Sequence, residues 1–249
     1  MCGRFGLISS LEELEDYFAL IESLPAEPEM PARYNIAPTQ PVVVVRANHN
    51  GTGREGIFAR WGLVPAWVDD PKSFPLVINA RVETVAEKPS FRAAIRHRRI
   101  LIPASGFYEW RRFGKGVKSH PYWVKPKDDA LVAFGGVMET WLGANGSEID
   151  TVCILTTPAN RTFEEIHHRL PLVIKQEDFD RWLDPQVQDP ADIADLFMTV
   201  EDDYFEMVRV GDAVNKVSND NPSIQEPYDP GEQHEPAAHS VPDEQMSLF

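Results

Sequence analysis

The sequence predicts an α+β protein with a single domain, an antiparallel β core flanked by helices. Three observations carry this expectation. Short apolar runs bounded by turn residues bunch in the middle of the chain, helical periodicity is confined to its flanks, and 249 residues suffice to bury one substantial core.

Ser10 and Glu13 form a capping-box pair, and Leu11, Leu14, Tyr17 and Phe18 share one face, which predicts a helix from Ser10 to about Leu20. The Pro-rich stretch 25–41 reads as loop. Val42, Val43, Val44 and Val45 read as a buried strand, and a turn at Gly51 and Gly53 leads into a second strand over residues 56–61. Further strands are expected at residues 100–102, 122–124, 131–134 and 152–155. Thr162 and Glu165 are expected to cap a short helix ending at Ile166. Later helices are expected over 179–183 and after Asp189, which caps a segment with Pro190 in its first position and Ile193, Leu196 and Phe197 apolar. The domain is set at residues 2–228. Residues 229–249 have no strand or helix period and read as a disordered acidic tail. The last five residues, Gln245 to Phe249, resemble the short peptides by which DNA-repair proteins hook a sliding clamp, with Gln245, Leu248 and Phe249 as the contacts.

Composition excludes several classes. No apolar run is long enough to span a membrane, and the opening residues lack the pattern of a signal peptide, so a cytoplasmic protein is expected; a monomer is expected as well. Cys2 and Cys153 lie far apart with no CxxC pair, which excludes a disulfide scaffold and a structural zinc site. No metal or cofactor is expected. The net charge of −15 argues at first against a nucleic-acid partner. Residues 219–249, however, carry seven of the acids and no Lys or Arg, leaving −8 on residues 1–218. With 16 Arg against 8 Lys, the body reads either as adapted to high salt or as plainly acidic.

Cys2 is the sharpest chemical feature. A small second residue permits removal of Met1, which leaves an amine and a thiol on one residue. Such an aminothiol attacks an aldehyde twice, the amine forming an imine and the thiol closing a thiazolidine. The same thiol also suits acyl transfer. Asn79, Arg81 and Glu83 alternate behind an apolar Val77-Ile78, so they share one face of an extended segment. Glu109 is a single carboxylate among aromatics in Gly106-Phe107-Tyr108-Glu109-Trp110, a setting suited to moving protons. His167 and His168 stand just before a turn. Arg4, Arg33, Arg60, Arg81, Arg92, Arg96, Arg98, Arg99 and Arg169 supply cations for a phosphate track, Arg96–Arg99 also reading as a solvated helix end, and Trp67 is a candidate for base stacking.

Taken together, Met1-Cys2-Gly3-Arg4-Phe5, Arg33-Tyr34-Asn35-Ile36-Ala37-Pro38, Trp61-Gly62-Leu63-Val64-Pro65, Asn79-Ala80-Arg81-Val82-Glu83-Thr84, Gly106-Phe107-Tyr108-Glu109-Trp110 and His167-His168-Arg169-Leu170-Pro171 resemble the SOS response-associated peptidase (SRAP) family, in order and spacing, from residue 2 to about 228. The resemblance implies a single SRAP domain with a barrel-like core. It further implies a DNA-damage enzyme, peptidase- and lyase-like and nucleoid-associated, that recognises abasic sites in single-stranded DNA and crosslinks to them through Cys2. It also implies loss of Met1, to an aminopeptidase or to the protein itself, the latter being the origin of the peptidase name. On this resemblance Cys2 is the nucleophile, Asn79 holds the amino-terminal residue and the opened sugar, Glu109 is the acid/base, and His167 serves protonation steps. Arg4, Arg81 and Arg169 match phosphate contacts, Thr156 lies near the site, and Pro38 and Trp67 match a surface that wedges against DNA. Leu170, Met138 and Val68 depart from the family pattern, and Val68 bears on preference for a single-strand/double-strand junction. Two other readings stay open: a cysteine peptidase acting beyond its own terminus, with His167 as base, and a non-covalent single-stranded-DNA-binding module.

Overall fold

The capping box forms as written: the Ser10 amide donates to Glu13 Oε2 at 2.7 Å and the Glu13 amide donates to Ser10 Oγ at 3.2 Å, opening α1, Leu11–Phe18. In the computed structural model, which describes residues 2–22, 24 and 31–228, this helix lies between the strands β1, Phe5–Leu7, and β2, Leu20–Glu22. Then come β3, Arg33–Ile36; β4, Pro41–Ala47; β5, Arg54–Trp61; and β6, Asn79–Arg81. A short helix α2, Ala94–His97, precedes β7, Arg99–Ala104; β8, Gly106–Arg111; β9, His120–Pro126; β10, Val132–Leu142; and β11, Glu148–Pro158. The chain continues through β12, Arg169–Pro171; α3, Phe179–Leu183; and β13, Phe205–Arg209. The tail 229–249, with the clamp peptide ending at Phe249, lies outside the described residues. Among the described residues no helix is long and apolar enough to cross a membrane.

The strands form two sheets. One runs β13-β9-β8-β1-β3 and is antiparallel throughout. The other contains β11-β10-β7-β4-β5, and a parallel pairing of β5 with β11, Arg60 opposite Thr151 and Trp61 opposite Val152, closes these five into a barrel. The α+β class with a barrel-like core therefore holds. Closure removes two sheet edges that would otherwise expose unpaired amides. The barrel strands read as near-continuous apolar runs because both their faces are covered. The sheets meet over an aromatic cluster: Phe5 lies edge-on to Trp61 at 5.2 Å between ring centroids and to Phe134 at 6.3 Å, and Phe107 lies edge-on to Phe134 at 5.9 Å. Gly106 starts β8 where a Cβ would lie 2.6 Å from the Val124 carbonyl oxygen, so no larger residue fits this close approach.

Four local expectations are corrected. The supposed loop 25–41 contains β3 and the first residue of β4. Thr162 does not cap the turn Phe163–Glu165; Asn160 Oδ1 does, accepting from the Phe163 amide at 2.8 Å. Asp189 does accept from the Ala191 amide at 3.1 Å, yet Pro190–Phe197 is a pair of 3₁₀ turns broken at Ile193. Arg99 belongs to no phosphate track: its guanidinium is buried and donates to the carbonyls of Ile95, Trp182 and Asp184 at 2.9, 2.5 and 2.6 Å. Residues 219–228 are docked. Asp220 Oδ1 accepts from the Tyr34 and Asn35 amides at 2.5 and 2.9 Å, which fixes the outer edge of β3.

Candidate functional site

Burial of Phe5 and Leu7 pins β1 between β8 and β3, and this determines where the chain's first residues go. The Tyr108 amide donates to the Arg4 carbonyl at 2.8 Å, extending the pairing toward the terminus. Continuing the register of Phe5 opposite Phe107 brings Cys2 level with Trp110, beside Glu109. On the barrel side β6 runs parallel to β11 with Asn79 opposite Ile154. Asn79 Nδ2 donates to the Cys2 carbonyl at 2.8 Å. Asn79 Oδ1 is buried and accepts no hydrogen bond among the described residues. The seam between the two sheets thus holds the main chain of Cys2 from one side and offers an unused acceptor beside it.

Cys2 is 0% exposed. Burial, and secondly the charge of Glu109, push its thiol up to about 12, against 9.0 for a free cysteine. Glu109 is itself only 6% exposed, at the centre of β8. Its charge also acts on His167, where it opposes the burial that lowers the imidazole below its usual value. His167 Nδ1 lies 3.0 Å from the Arg169 amide and 3.2 Å from the Arg169 carbonyl, so the Arg169 main chain holds the ring from that side. The ring stacks on His168 at 4.3 Å. Cys2, Asn79, Glu109 and His167, drawn from four distant parts of the chain, therefore share one site. Among the described residues no group of His, Cys, Asp and Glu is arranged to hold a metal.

The arginines divide. Arg169 is 7% exposed and grips Glu83 in a bidentate pair at 2.5 and 2.9 Å; its Nη2 also donates to the Thr156 carbonyl and, at 3.3 Å, to Thr156 Oγ1. That bond to Arg169 holds the Glu83 carboxyl below the usual carboxylate range. Thr156 is buried, its hydroxyl donating to the Ala80 carbonyl at 3.3 Å. Arg4 is half-buried and donates from Nη1 to Asn35 Oδ1 at 2.7 Å and to the Val214 carbonyl at 2.9 Å. Arg81, opposite Thr156, is exposed. Of the three arginines expected on phosphate, two are engaged inside the protein and one faces solvent. Pro38 is half-buried in the turn after β3, whose Thr39 amide donates to the Trp61 carbonyl at 2.7 Å. Trp67 is 62% exposed with its ring edge-on to Phe74 at 5.7 Å, whereas Val68 is buried and gives its carbonyl to the Trp141 indole at 2.6 Å. Met138 and Leu170 are core residues.

Two residues of the site's framework were not given roles from sequence. Asn35 is buried, accepts from Arg4, and donates to the carbonyls of Val214, Lys216 and Asn219 at 3.3, 3.2 and 2.7 Å. Its signal was an amide between Tyr34 and Ile36, where a strand interior rarely keeps one. Glu83 stood in the alternating polar set, but its partner is 86 residues away.

A family model described as SOS response associated peptidase (SRAP) matches residues 1–217. The chain is 37% identical over 228 residues to "Abasic site processing protein YoqW" of Bacillus subtilis (strain 168), covering 92% of this chain and 100% of that protein. It is 30% identical over 234 residues to "Abasic site processing protein YedK" of Escherichia coli (strain K12), covering 91% and 100%. A crystal structure of a protein from Bacteroides thetaiotaomicron superposes with a TM-score of 0.82 at 24% identity, covering 91% of this chain and all of the other, and so shares the fold. A family model over most of the chain, relatives matched along their whole length and a shared fold lead to one conclusion: the protein belongs to the SOS response associated peptidase (SRAP) family.

Proposed function

We propose that the protein processes abasic sites in single-stranded DNA by capturing the ring-opened deoxyribose covalently on Cys2. The observation that carries this reading is the cluster at the seam: Asn79 holds the Cys2 carbonyl at 2.8 Å, while the Glu109 charge bears on both the Cys2 thiol and His167. The relatives named abasic site processing proteins support it. Hydrolysis of the Met1–Cys2 bond first moves the α-amino group to Cys2. That amine adds to the C1′ aldehyde, and the carbinolamine loses water to give an imine. The sulfur then adds to the imine carbon and its proton passes to the nitrogen, closing the thiazolidine. Glu109 takes and returns the protons, and His167 beside it serves the protonation steps. Asn79 Oδ1 accepts from the new amine or from a sugar hydroxyl. Arg81 contacts phosphate, and Trp67 and Pro38 face the bases. Arg4, Arg169 and Thr156 act as positioning residues, since the Nη groups of the two arginines and the Thr156 hydroxyl are hydrogen-bonded within the fold.

The burial of the thiol separates this reading from a general cysteine peptidase. Burial disfavours the thiolate that a peptidase employs. Imine formation needs only the amine, and the thiol follows with a base beside it. The test is incubation with abasic single-stranded DNA and a denaturing gel, with intact mass reporting Met1 loss. Wild type is expected to give a shifted band and Cys2→Ala none; equal crosslinking by Cys2→Ala overturns the proposal.

A further inference from the structure

Arg4 and Arg169 commit Nη groups to partners within the fold, so in a chain of net charge −15 further exposed cations bear on how the DNA backbone is received. The connection from β8 to β9 supplies them. Residues 111–118 contain Arg111, Arg112, Lys115 and Lys118, four of the chain's 24 cations within eight residues, and no acid. Residues 112–118 are all exposed. Gly114 and Gly116 adopt φ of +120° and +82°, and a Cβ on either would meet nothing within 4 Å, so the turn stands clear of the body. Lys118 pairs with Asp212, and Arg111 reaches Glu165 at 3.8 Å, but among the described residues Arg112 and Lys115 make no ion pair. Between them Phe113 is 46% exposed, with the Arg111 guanidinium 5.5 Å from its ring centroid and His120 edge-on at 4.7 Å.

Placement ties this loop to the chemistry. It is the outward continuation of β8, the strand that carries Glu109, and the β1–β8 register brings Cys2 level with Trp110. Arg111, the last residue of β8, stands one residue, about 3.3 Å, beyond the level of Cys2, and Phe113 follows two residues later. Glu165, which Arg111 approaches, ends the turn that leads to His167. We infer that the β8–β9 hairpin is a finger for single-stranded DNA: Arg112 and Lys115 bind phosphates flanking the lesion, and Phe113 stacks on a neighbouring base. This rests on the proposed function and adds the surface that holds the strand on the Glu109 side of the site.

The experiment measures affinity for a labelled undamaged oligothymidylate by fluorescence anisotropy across salt, for wild type, R112A/K115A and F113A. Each phosphate contact on a single strand contributes about 0.7 to the slope of log affinity against log salt, so the double variant is expected to lose about 1.4 from that slope. F113A is expected to weaken binding about fivefold or more at every salt concentration with the slope unchanged. A wild-type slope in R112A/K115A together with wild-type affinity in F113A overturns the finger. Intact mass after incubation with 2-deoxyribose, an aldehyde sugar with no phosphate and no neighbouring bases, reads the Cys2 chemistry alone. Loss of that capture in the hairpin variants would also overturn the inference, because it would make the loop a support for Cys2. If wild type captures neither 2-deoxyribose nor abasic DNA, the proposed function fails instead, and the anisotropy result still decides the finger.

Discussion

The barrel wall and the seam beside it are held by different forces. In the wall, Val42–Val45, Ile100–Ile102 and Val152–Leu155 are buried and apolar, and what stabilises them is area removed from water, which depends little on direction. In the seam the buried side chains are Asn35, Glu109, Thr156 and Arg169, and Asn35, Thr156 and Arg169 lie within hydrogen-bond reach of a named partner. Buried polar groups cost heavily when a partner is lost and almost nothing when satisfied, so the seam gives position where the wall gives stability. The two are joined at β1: Phe5 packs into the wall's aromatic cluster, and the residues just before it carry the reactive terminus into the seam. Rigidity of the chemistry is borrowed from the core through that one strand.

The widest separation between the regions comes from Phe134→Ala. Phe134 is fully buried and touches the rings of both Phe5 and Phe107, so its loss leaves a cavity where the two sheets meet. A cost of about 3–5 kcal/mol is expected in urea unfolding. Protein that remains folded should still crosslink abasic DNA; a variant of near wild-type stability would show that the cluster does not join the sheets.

Asn35→Ala probes the seam and should cost less in stability. It removes the acceptor of Arg4 and the donor to three carbonyls of residues 214–219, and about 1–3 kcal/mol is expected for the partners left unsatisfied. Unlike the core variant, it should slow crosslinking in the fraction that stays folded, because Arg4 lies two residues from Cys2. Rates measured well below the unfolding midpoint separate the two effects: an unchanged rate would mean that Arg4 is held without Asn35.

The contrast also explains what sequence could and could not reveal. The wall was legible because a buried strand announces itself by composition: the valine run of β4 and the apolar centres of β7 and β11 were all expected as strands. The closing pair β5–β11 was not, since parallel pairing over some ninety residues leaves no local trace. Nor was β3, whose Arg33-Tyr34-Asn35-Ile36 alternates in no simple way because the amide is buried for its hydrogen bonds. In the site, the residue types of Cys2, Asn79, Glu109 and His167 were legible as chemistry. The employment of the arginines was not. A guanidinium that grips a phosphate and one that grips Glu83 or an internal carbonyl have the same sequence signature, and only the partners the fold brings to Arg169 and Arg4 distinguish them. The Arg111–Lys118 cluster was passed over for the opposite reason: a polar turn between two strands looks like an ordinary hairpin until its neighbours are known.

Glu83→Gln gives the smallest effect and the sharpest contrast, because it titrates. The pair with Arg169 joins a guanidinium 8% exposed to a carboxylate 45% exposed, so solvent screens much of the attraction, and a loss of about 1 kcal/mol is expected at neutral pH. Arg169 holds the folded Glu83 pKa below 4.5, so the unfolded chain takes up the proton first as pH falls. The stabilisation is therefore complete above 4.5 and disappears as pH drops through the lower, folded value. Urea midpoints of wild type and Glu83→Gln should differ at neutral pH and converge in acid, below the lowered folded value. The Phe134→Ala deficit, which involves no charge, should be the same at both. A Glu83→Gln deficit that persisted undiminished in acid would mean that the carboxylate serves Arg169 by shape and hydrogen bonding instead of charge, and the seam would then differ from the wall in geometry alone.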